Sequence, residues 1–294
     1  MKVQIIAASL LLLGSCASPT NSRSSPVEDQ VAAGMMQHLR FYASFDGSTT
    51  ADSAVGDASL YTANSRKDLQ TARAGLHDDA VSIAAGQGVF GDALEFTAKK
   101  RMLTYYRAEE NVGYSEESWS GAISFWLQLD PATDLEPGFC DPIQITDVSY
   151  NDASIWVDFT KENPRTFRLG VIGDLDAWNP DNLPADGNDE FTRRLIPVEA
   201  PPFERGRWTH ILINFDQLNT ASGRTELFVD GNPMGSLAVT DPFTWEPENA
   251  LFMLGLSYVG LMDELAVFDR PLDEEEARAL RRDAPLSALL DPSN

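Results

Sequence analysis

The chain has 294 residues, 43% of them hydrophobic, which is enough to bury a large core and argues against global disorder. Its 45 acidic and 22 basic side chains leave a formal net charge of −23. That field repels phosphate and so excludes nucleic acid and anionic lipid surfaces as partners. Only two cysteines are present, Cys16 and Cys140, too few for a disulfide framework, so the domain must stand on its core.

The N-terminus is a targeting segment. Lys2 precedes an apolar run from Val3 to Leu13, too short to span a bilayer unaided. Leu13-Gly14-Ser15-Cys16 resembles the lipobox of bacterial lipoproteins. That resemblance implies a signal peptide over residues 1–15, cleavage before Cys16, and a diacylglycerol on the Cys16 sulfur. An ordinary secretory signal followed by an unrelated cysteine is the alternative. Loss of Lys2 with the signal leaves a mature charge of −24. Ala17 after the cysteine fits outer-membrane sorting in related lipoproteins. The expected localisation is therefore exported, held at the cell envelope, with membrane contact through the N-terminal lipid only.

Residues 16–37 begin with the Ser- and Pro-rich ASPTNSRSSP and are expected to be a flexible tether. Val27–Arg40 is a candidate short helix within and after it. The domain is expected over residues 38–283, with a tail over 284–294. Phe41–Phe45 alternates and ends at the turn signal Asp46-Gly47-Ser48. A loose Ala-, Asp- and Ser-rich stretch follows, with candidate strands at Asp79–Ala84 and Gly91–Phe96.

Gly121–Asp130 is the central strand: Ile123, Phe125, Leu127 and Leu129 share one face, and Ser124, Trp126 and Gln128 the other. Further strands are expected at Pro142–Thr146, Ser154–Phe159, Thr166–Gly173, Trp208–Phe215, Thr225–Asp230, Ser236–Thr240, Leu251–Leu254 and Gly260–Phe268. Asp230-Gly231 is a hairpin turn. Asp273 with Glu276 three residues later reads as a capping box, with acids in the first turn and Arg281 and Arg282 in the last. Many short strands punctuated by turns predict an all-β fold, an antiparallel two-sheet sandwich with a short C-terminal helix.

Several of these segments carry a family pattern. ISFWLQL, RWTHILINF, ELFVDG and LGLSYVGLMDELAVFDRPLDEEEARAL, with the upstream strand GDALEF, resemble laminin-G-like modules of the concanavalin A-like lectin/glucanase group. The match covers roughly Leu39 to Leu280. It implies a jelly roll whose last strand, Gly260–Phe268, pairs with the first. It says little about function, because fold does not fix function.

Alternation in GLMDELAVF places Asp263 on the face with Leu261, Leu265 and Val267, and an inward carboxylate must be hydrogen-bonded, paired or metal-bound. The resemblance implies two options. Asp263 holds the Asp46-Gly47-Ser48 turn through its backbone N–H groups, or it joins Asp46 in a structural Ca²⁺ site completed by carbonyls and water. The acidic loop Asp174–Glu190 lacks EF-hand spacing, because Trp178 stands where a ligand is needed. Trp178 in that loop, beside Asp176 and Asn179, could stack on a sugar while the polar side chains bond its hydroxyls; the favoured alternative is that it caps the core edge. Trp245 in a Pro-rich loop could pack or bind in the same way.

Trp126, Trp156 and Trp208 read as packing residues within strands, and His210 as a hydrogen-bonded strand histidine. Cys140 reads as a buried thiol. No E-x-D-x-x-E strand, G-x-S-x-G, H-E-x-x-H or P-loop occurs.

Together these features predict a lipid-anchored, exported, non-catalytic module that binds carbohydrate or cell-surface glycan. The alternatives are a protein–protein or envelope-scaffold module without a sugar site, whose partner is a cell-envelope or extracellular protein, and, third, a polysaccharide hydrolase or lyase.

Overall fold

The computed structural model describes residues 26–99 and 102–290. The signal segment and Cys16 lie outside the described residues. Two antiparallel sheets stack face to face. The first runs in the order Asn232–Ala238, Arg224–Val229, Thr209–Leu218, Trp119–Gln128, Gly260–Phe268, Leu39–Ala43 and Ser53–Ala54. Ala93–Phe96 also pairs with Gly260–Phe268, and Val81–Ala84 with Ala93–Phe96. The second sheet runs Leu195–Val198, Phe167–Ile172, Asp152–Phe159, Cys140–Ser149, Leu251–Leu256, Leu103–Arg107, Tyr61–Ala63 and Arg73–Ala74.

The first and last strands lie side by side, with Phe41 opposite Val267 and Ala43 opposite Leu265. This pairing brings the two ends of the domain together within the first sheet, and the packing of that sheet on the second makes the sandwich. The alternating positions of the central strand do what their pattern demands: Ile123, Phe125 and Leu127 enter the core between the sheets, against Ile145, Val157 and Phe252 of the other layer.

Five strands escaped the sequence reading: the short Ser53–Ala54, Tyr61–Ala63 and Arg73–Ala74 in the stretch read as loose, and Leu103–Arg107 and Leu195–Val198. In Leu103–Arg107 the first four residues are all buried, so no alternation is visible. Leu195–Val198 contains Pro197, which belongs on an edge strand, and this strand is the edge of its sheet.

The Asp230-Gly231 turn has both residues at positive φ (52° and 73°), the type I′ geometry that joins twisted strands. The capping box at Asp273 and Glu276 is formed at both ends.

The first sheet is covered on its outer side by helices. Pro26–Met35 packs on Glu274–Ala279, with Ala32, Met35, Ala277 and Leu280 closing over Tyr42, Ala266 and Phe268. Residues 26–37, expected as part of a tether, are therefore docked helix. The expected tail is also part of the domain: Leu286 is buried and its N–H donates to Glu264 Oε2 at 3.2 Å.

Candidate functional site

The outer face of the second sheet is the one left partly open. On it, Trp156 shares a side with Asp158, while Ile155 and Val157 point into the core. The neighbouring strand places Arg168 directly opposite Asp158, and Gly170 opposite Trp156. Gly170 has no side chain because the indole fills that space: a Cβ there would come within 2.4 Å of the ring. On the other side, Gln144 faces Trp156. Loop residues complete the walls, and together they enclose a cavity of about 340 Å³ with Phe139, Tyr150, Trp156 and Phe191 as its aromatic lining. That volume is at the lower end for small-molecule sites.

The polar groups of this pocket are ordered by partners. Arg168 grips Asp158 with both Nε (2.8 Å to Oδ1) and Nη2, a bidentate pair of fixed geometry. Burial pushes the Asp158 carboxyl up, and the Arg168 guanidinium pulls it back in part. Asp141 lies against the same pair. Desolvation, with the Asp158 charge second, pushes its carboxyl well above the usual range. The Trp156 indole N–H donates to Tyr150 O at 2.7 Å, which locks the ring. Phe139 and Tyr150 are 38% and 45% exposed at the rim, with Arg168 and Lys161 lying 5.1 and 5.6 Å from the Phe139 ring centre, whereas Trp156 at 2% forms the floor.

The residues singled out from sequence fall elsewhere. Trp178 is 5% exposed. Its indole N–H donates to Asn151 O at 3.0 Å, and its ring packs against Phe191. Trp178 therefore braces the pocket wall from behind and does not stack on a ligand. The short helix Leu175–Trp178 turns the indole inward, because burial beside Ile172 and Trp156 is worth more than exposure. Asn179 is also spent on structure, closing its own loop with Leu183 through bonds of 2.9 and 3.0 Å. Asp176 is exposed and lies outside the pocket lining.

Trp245 is buried between Tyr114 and Trp119, and its N–H donates to Ala153 O at 2.5 Å. It lines a separate shallow cleft with Tyr114 and Asn219. Trp178 and Trp245 are thus not brought together. The missed residues, Phe139, Tyr150, Asp141, Asp158 and Arg168, carried no local motif. Only the alternation that puts Asp158 beside Trp156 was readable.

Asp263 departs from its expected register. Glu264 has φ of 53°, and the pairing with the central strand shifts between Asp263 and Ala266, a β-bulge. The extra residue reverses the alternation, so Met262, Leu265 and Val267 face the core between the sheets while Asp263 does not. It remains fully buried. Its Oδ2 accepts from the N–H groups of Val89 (2.7 Å) and Phe90 (3.3 Å), and Oδ1 from Glu264 N (2.8 Å). Asp263 therefore holds the 88–90 turn rather than the Asp46-Gly47-Ser48 turn.

Asp46 meets the same loop from outside, accepting from Asp92 N at 2.7 Å, while Asp92 Oδ2 accepts from Gly47 N at 2.9 Å. These carboxylates are aimed at amide donors, not at a shared oxygen-lined centre. Among the described residues no group of three or more His, Cys, Asp or Glu is placed to hold a metal ion. The donor set thus fits hydrogen bonding better than Ca²⁺.

His210 is fully buried, and its Nε2 lies 2.8 Å from Ser124 Oγ. Burial pulls its pKa down to about 3, so the ring is neutral at ordinary pH. Cys140 is buried, and desolvation pushes its thiol up, away from nucleophile chemistry.

A laminin-G-type family model, described as the concanavalin A-like lectin/glucanases superfamily, matches residues 115–278. The chain belongs to this superfamily. No curated protein matches it.

Among solved structures, it is similar to domain 4 of AbnA, an extracellular arabinanase from Geobacillus stearothermophilus in complex with arabinotriose. That similarity has TM-score 0.49 and 15% identity, over 83% of this chain and 98% of that one. The ligand-binding domain of botulinum neurotoxin serotype D, in complex with N-acetylneuraminic acid, is similar at TM-score 0.54 and 10% identity, over 85% of this chain and 52% of that one. The binding domain of Paraclostridial Mosquitocidal Protein 1 is similar at TM-score 0.47 and 14% identity, over 84% and 52%. The chain spans about half the length of the two toxin domains. At these identities the likeness is one of fold.

Proposed function

We propose that this superfamily member is an exported, lipid-anchored, non-catalytic module that binds glycans in the pocket between Phe139, Tyr150 and Trp156. The observation that carries the reading is the pairing of two accessible aromatic rings with a fixed Asp158–Arg168 fork in one cavity. Ring faces take up the apolar face of a sugar, and the fork and Asp141 offer acceptors and donors for its hydroxyls. Solved relatives described with arabinotriose and N-acetylneuraminic acid are in keeping with this.

The chain enters the domain through Pro26–Met35 on the outer side of the first sheet, and the pocket lies on the outer side of the second.

The test is a glycan screen with the soluble domain from residue 26. Binding in the millimolar to micromolar range that is weakened by Phe139→Ala and by Tyr150→Ala, with melting temperature unchanged, is the expected result. Silence of the screen, or indifference to both substitutions, would sink the reading.

A protein–protein module is the second reading. Its motive is the pair of exposed aromatic side chains, Phe139 and Tyr150, on one rim. A specific envelope pull-down with no glycan binding would favour it. Release of reducing ends or unsaturated products would instead establish a hydrolase or lyase.

A further inference from the structure

The charges around the pocket cancel one another. Arg168 holds Asp158 through Nε and Nη2. At the rim, Lys161 Nζ holds Asp186 at 2.7 Å. Asp141 is the remaining carboxyl of the lining. Burial, and then the Asp158 charge, favour its neutral form against the pull of Arg168. The Gln144 amide, in the orientation that satisfies its neighbours, donates to Asp141 Oδ2 at 3.2 Å. Two cations thus face two anions, and the third carboxyl is bonded as a neutral group.

What the cavity keeps is uncharged hydrogen-bonding capacity. Arg168 Nη1 takes no part in the fork. Like the Tyr150 hydroxyl, it has no hydrogen-bond partner among the described residues, and both side chains line the cavity. The paired carboxylates retain spare lone pairs. Hydroxyl groups, which both donate and accept, match a mixed set of this kind. Arg168 and Lys161 already lie against the Phe139 ring. Among the described residues no cation lies over Tyr150, so stacking falls to that exposed ring.

A charged ligand meets the opposite situation. A carboxylate entering the cavity gives up its water, and the Arg168 cation is already offset by Asp158. A free ammonium finds Asp158 offset by Arg168 and Asp141 neutral. Burying either charge without a counter-ion costs more than burying a hydroxyl that is hydrogen-bonded.

We infer that the pocket selects an uncharged sugar unit, a hexose or pentose without carboxylate, sulfate or free amine, and that Asp158 sets this preference by cancelling the charge of Arg168. The inference rests on the glycan reading above and narrows it.

The test is calorimetric titration of the wild-type protein near neutral pH, alongside the wider glycan screen. The probes are the methyl glycosides of glucose and galactose, of their uronic acids and of their 2-amino forms. The neutral member of each set should bind about tenfold or more tighter than its charged counterparts. Its affinity should not change with salt, because no net charge is brought together. Asp158→Asn keeps the shape of the side chain and leaves Arg168 uncancelled. It should raise uronide affinity about tenfold relative to the neutral glycoside, a gain that a merely structural role for Asp158 does not produce. Melting temperature checks that the variant is folded. If it is not, the wild-type series and its salt response decide.

A charged sugar that binds as tightly as its neutral counterpart, screen hits confined to acidic or amine-bearing glycans, or neutral-sugar binding that weakens with salt would overturn the selection and leave glycan binding intact. A folded Asp158→Asn protein with no gain for the uronides would remove the role given to Asp158. No binding of any probe, with a silent wider screen, would remove both the selection and the glycan reading.

Discussion

The indole of Trp156 lies over the backbone of Gly170 on the next strand, so close that a Cβ at position 170 would stand 2.4 Å from the ring. The pocket floor thus depends on a side chain that is missing. Gly170→Ala forces the indole to tilt toward the cavity or the strands to part. Overpacking of this kind costs about 1–3 kcal/mol. The expected outcome is a lower melting temperature together with weakened ligand binding. Unchanged binding would mean that the floor does not shape the site.

Trp178 offers the contrast. It is buried and hydrogen-bonded behind the pocket. Trp178→Ala should behave as a core deletion and cost about 3–5 kcal/mol, seen in denaturant unfolding. Trp178→Phe keeps most of the packing and should leave ligand affinity within about threefold, since its loss of area is modest. A large affinity loss in the folded Phe variant would return Trp178 to the binding surface.

The bulge places two carboxyls together in the interior, and this sets a pH dependence. Burial, with Glu264 second, raises Asp263 to about 8, and burial raises Glu264 to about 7 despite the Tyr42 hydroxyl donating to it at 2.6 Å. The unfolded values are near 4, so between about pH 4 and pH 8 the folded state holds protons that the unfolded chain has released. Stability contributed by these groups is therefore greatest at the acid end and declines as pH rises to about 8, then levels. The slope is at most about 1.4 kcal/mol per pH unit for each group. Melting temperatures from pH 5 to 9 should fall, and Glu264→Gln should flatten the fall. A rise over that range would contradict the burial argument.

Calcium has a separate test. Asp46 and Asp263 both point at amides of the 88–92 loop. A chelator should leave the melting temperature unchanged, and added Ca²⁺ in excess should not raise it. A cation that bound only the folded state would stabilise it in proportion to the logarithm of its concentration. A rise of several degrees with millimolar Ca²⁺, reversed by chelator, would place the ion between these carboxylates.

Much of the scaffold was legible because its signals are local. Gly121–Asp130 shows its core face through strict alternation, Asp230-Gly231 its turn through positive φ, and Asp273 with Glu276 its helix start through side-chain capping. The sequence reading failed where locality fails. Leu103–Arg107 is buried on both faces and shows no period. Asp263 was assigned the wrong face because a bulge at Glu264 inserts one residue into the count. Trp178 was read as a loop aromatic, yet four residues of helix turn it into a small core.

By itself the sequence determined most of the strands of the sandwich, because alternation, turn chemistry and capping act over a few residues; the meeting of its two ends was implied by the family resemblance and not by any local signal. The choice of which face stays open belonged to the tertiary structure. Phe139, Asp141, Tyr150, Trp156, Asp158 and Arg168 come from separate strands and loops, and only strand pairing sets their distances. A binding site assembled across strands has no spacing along the chain to betray it.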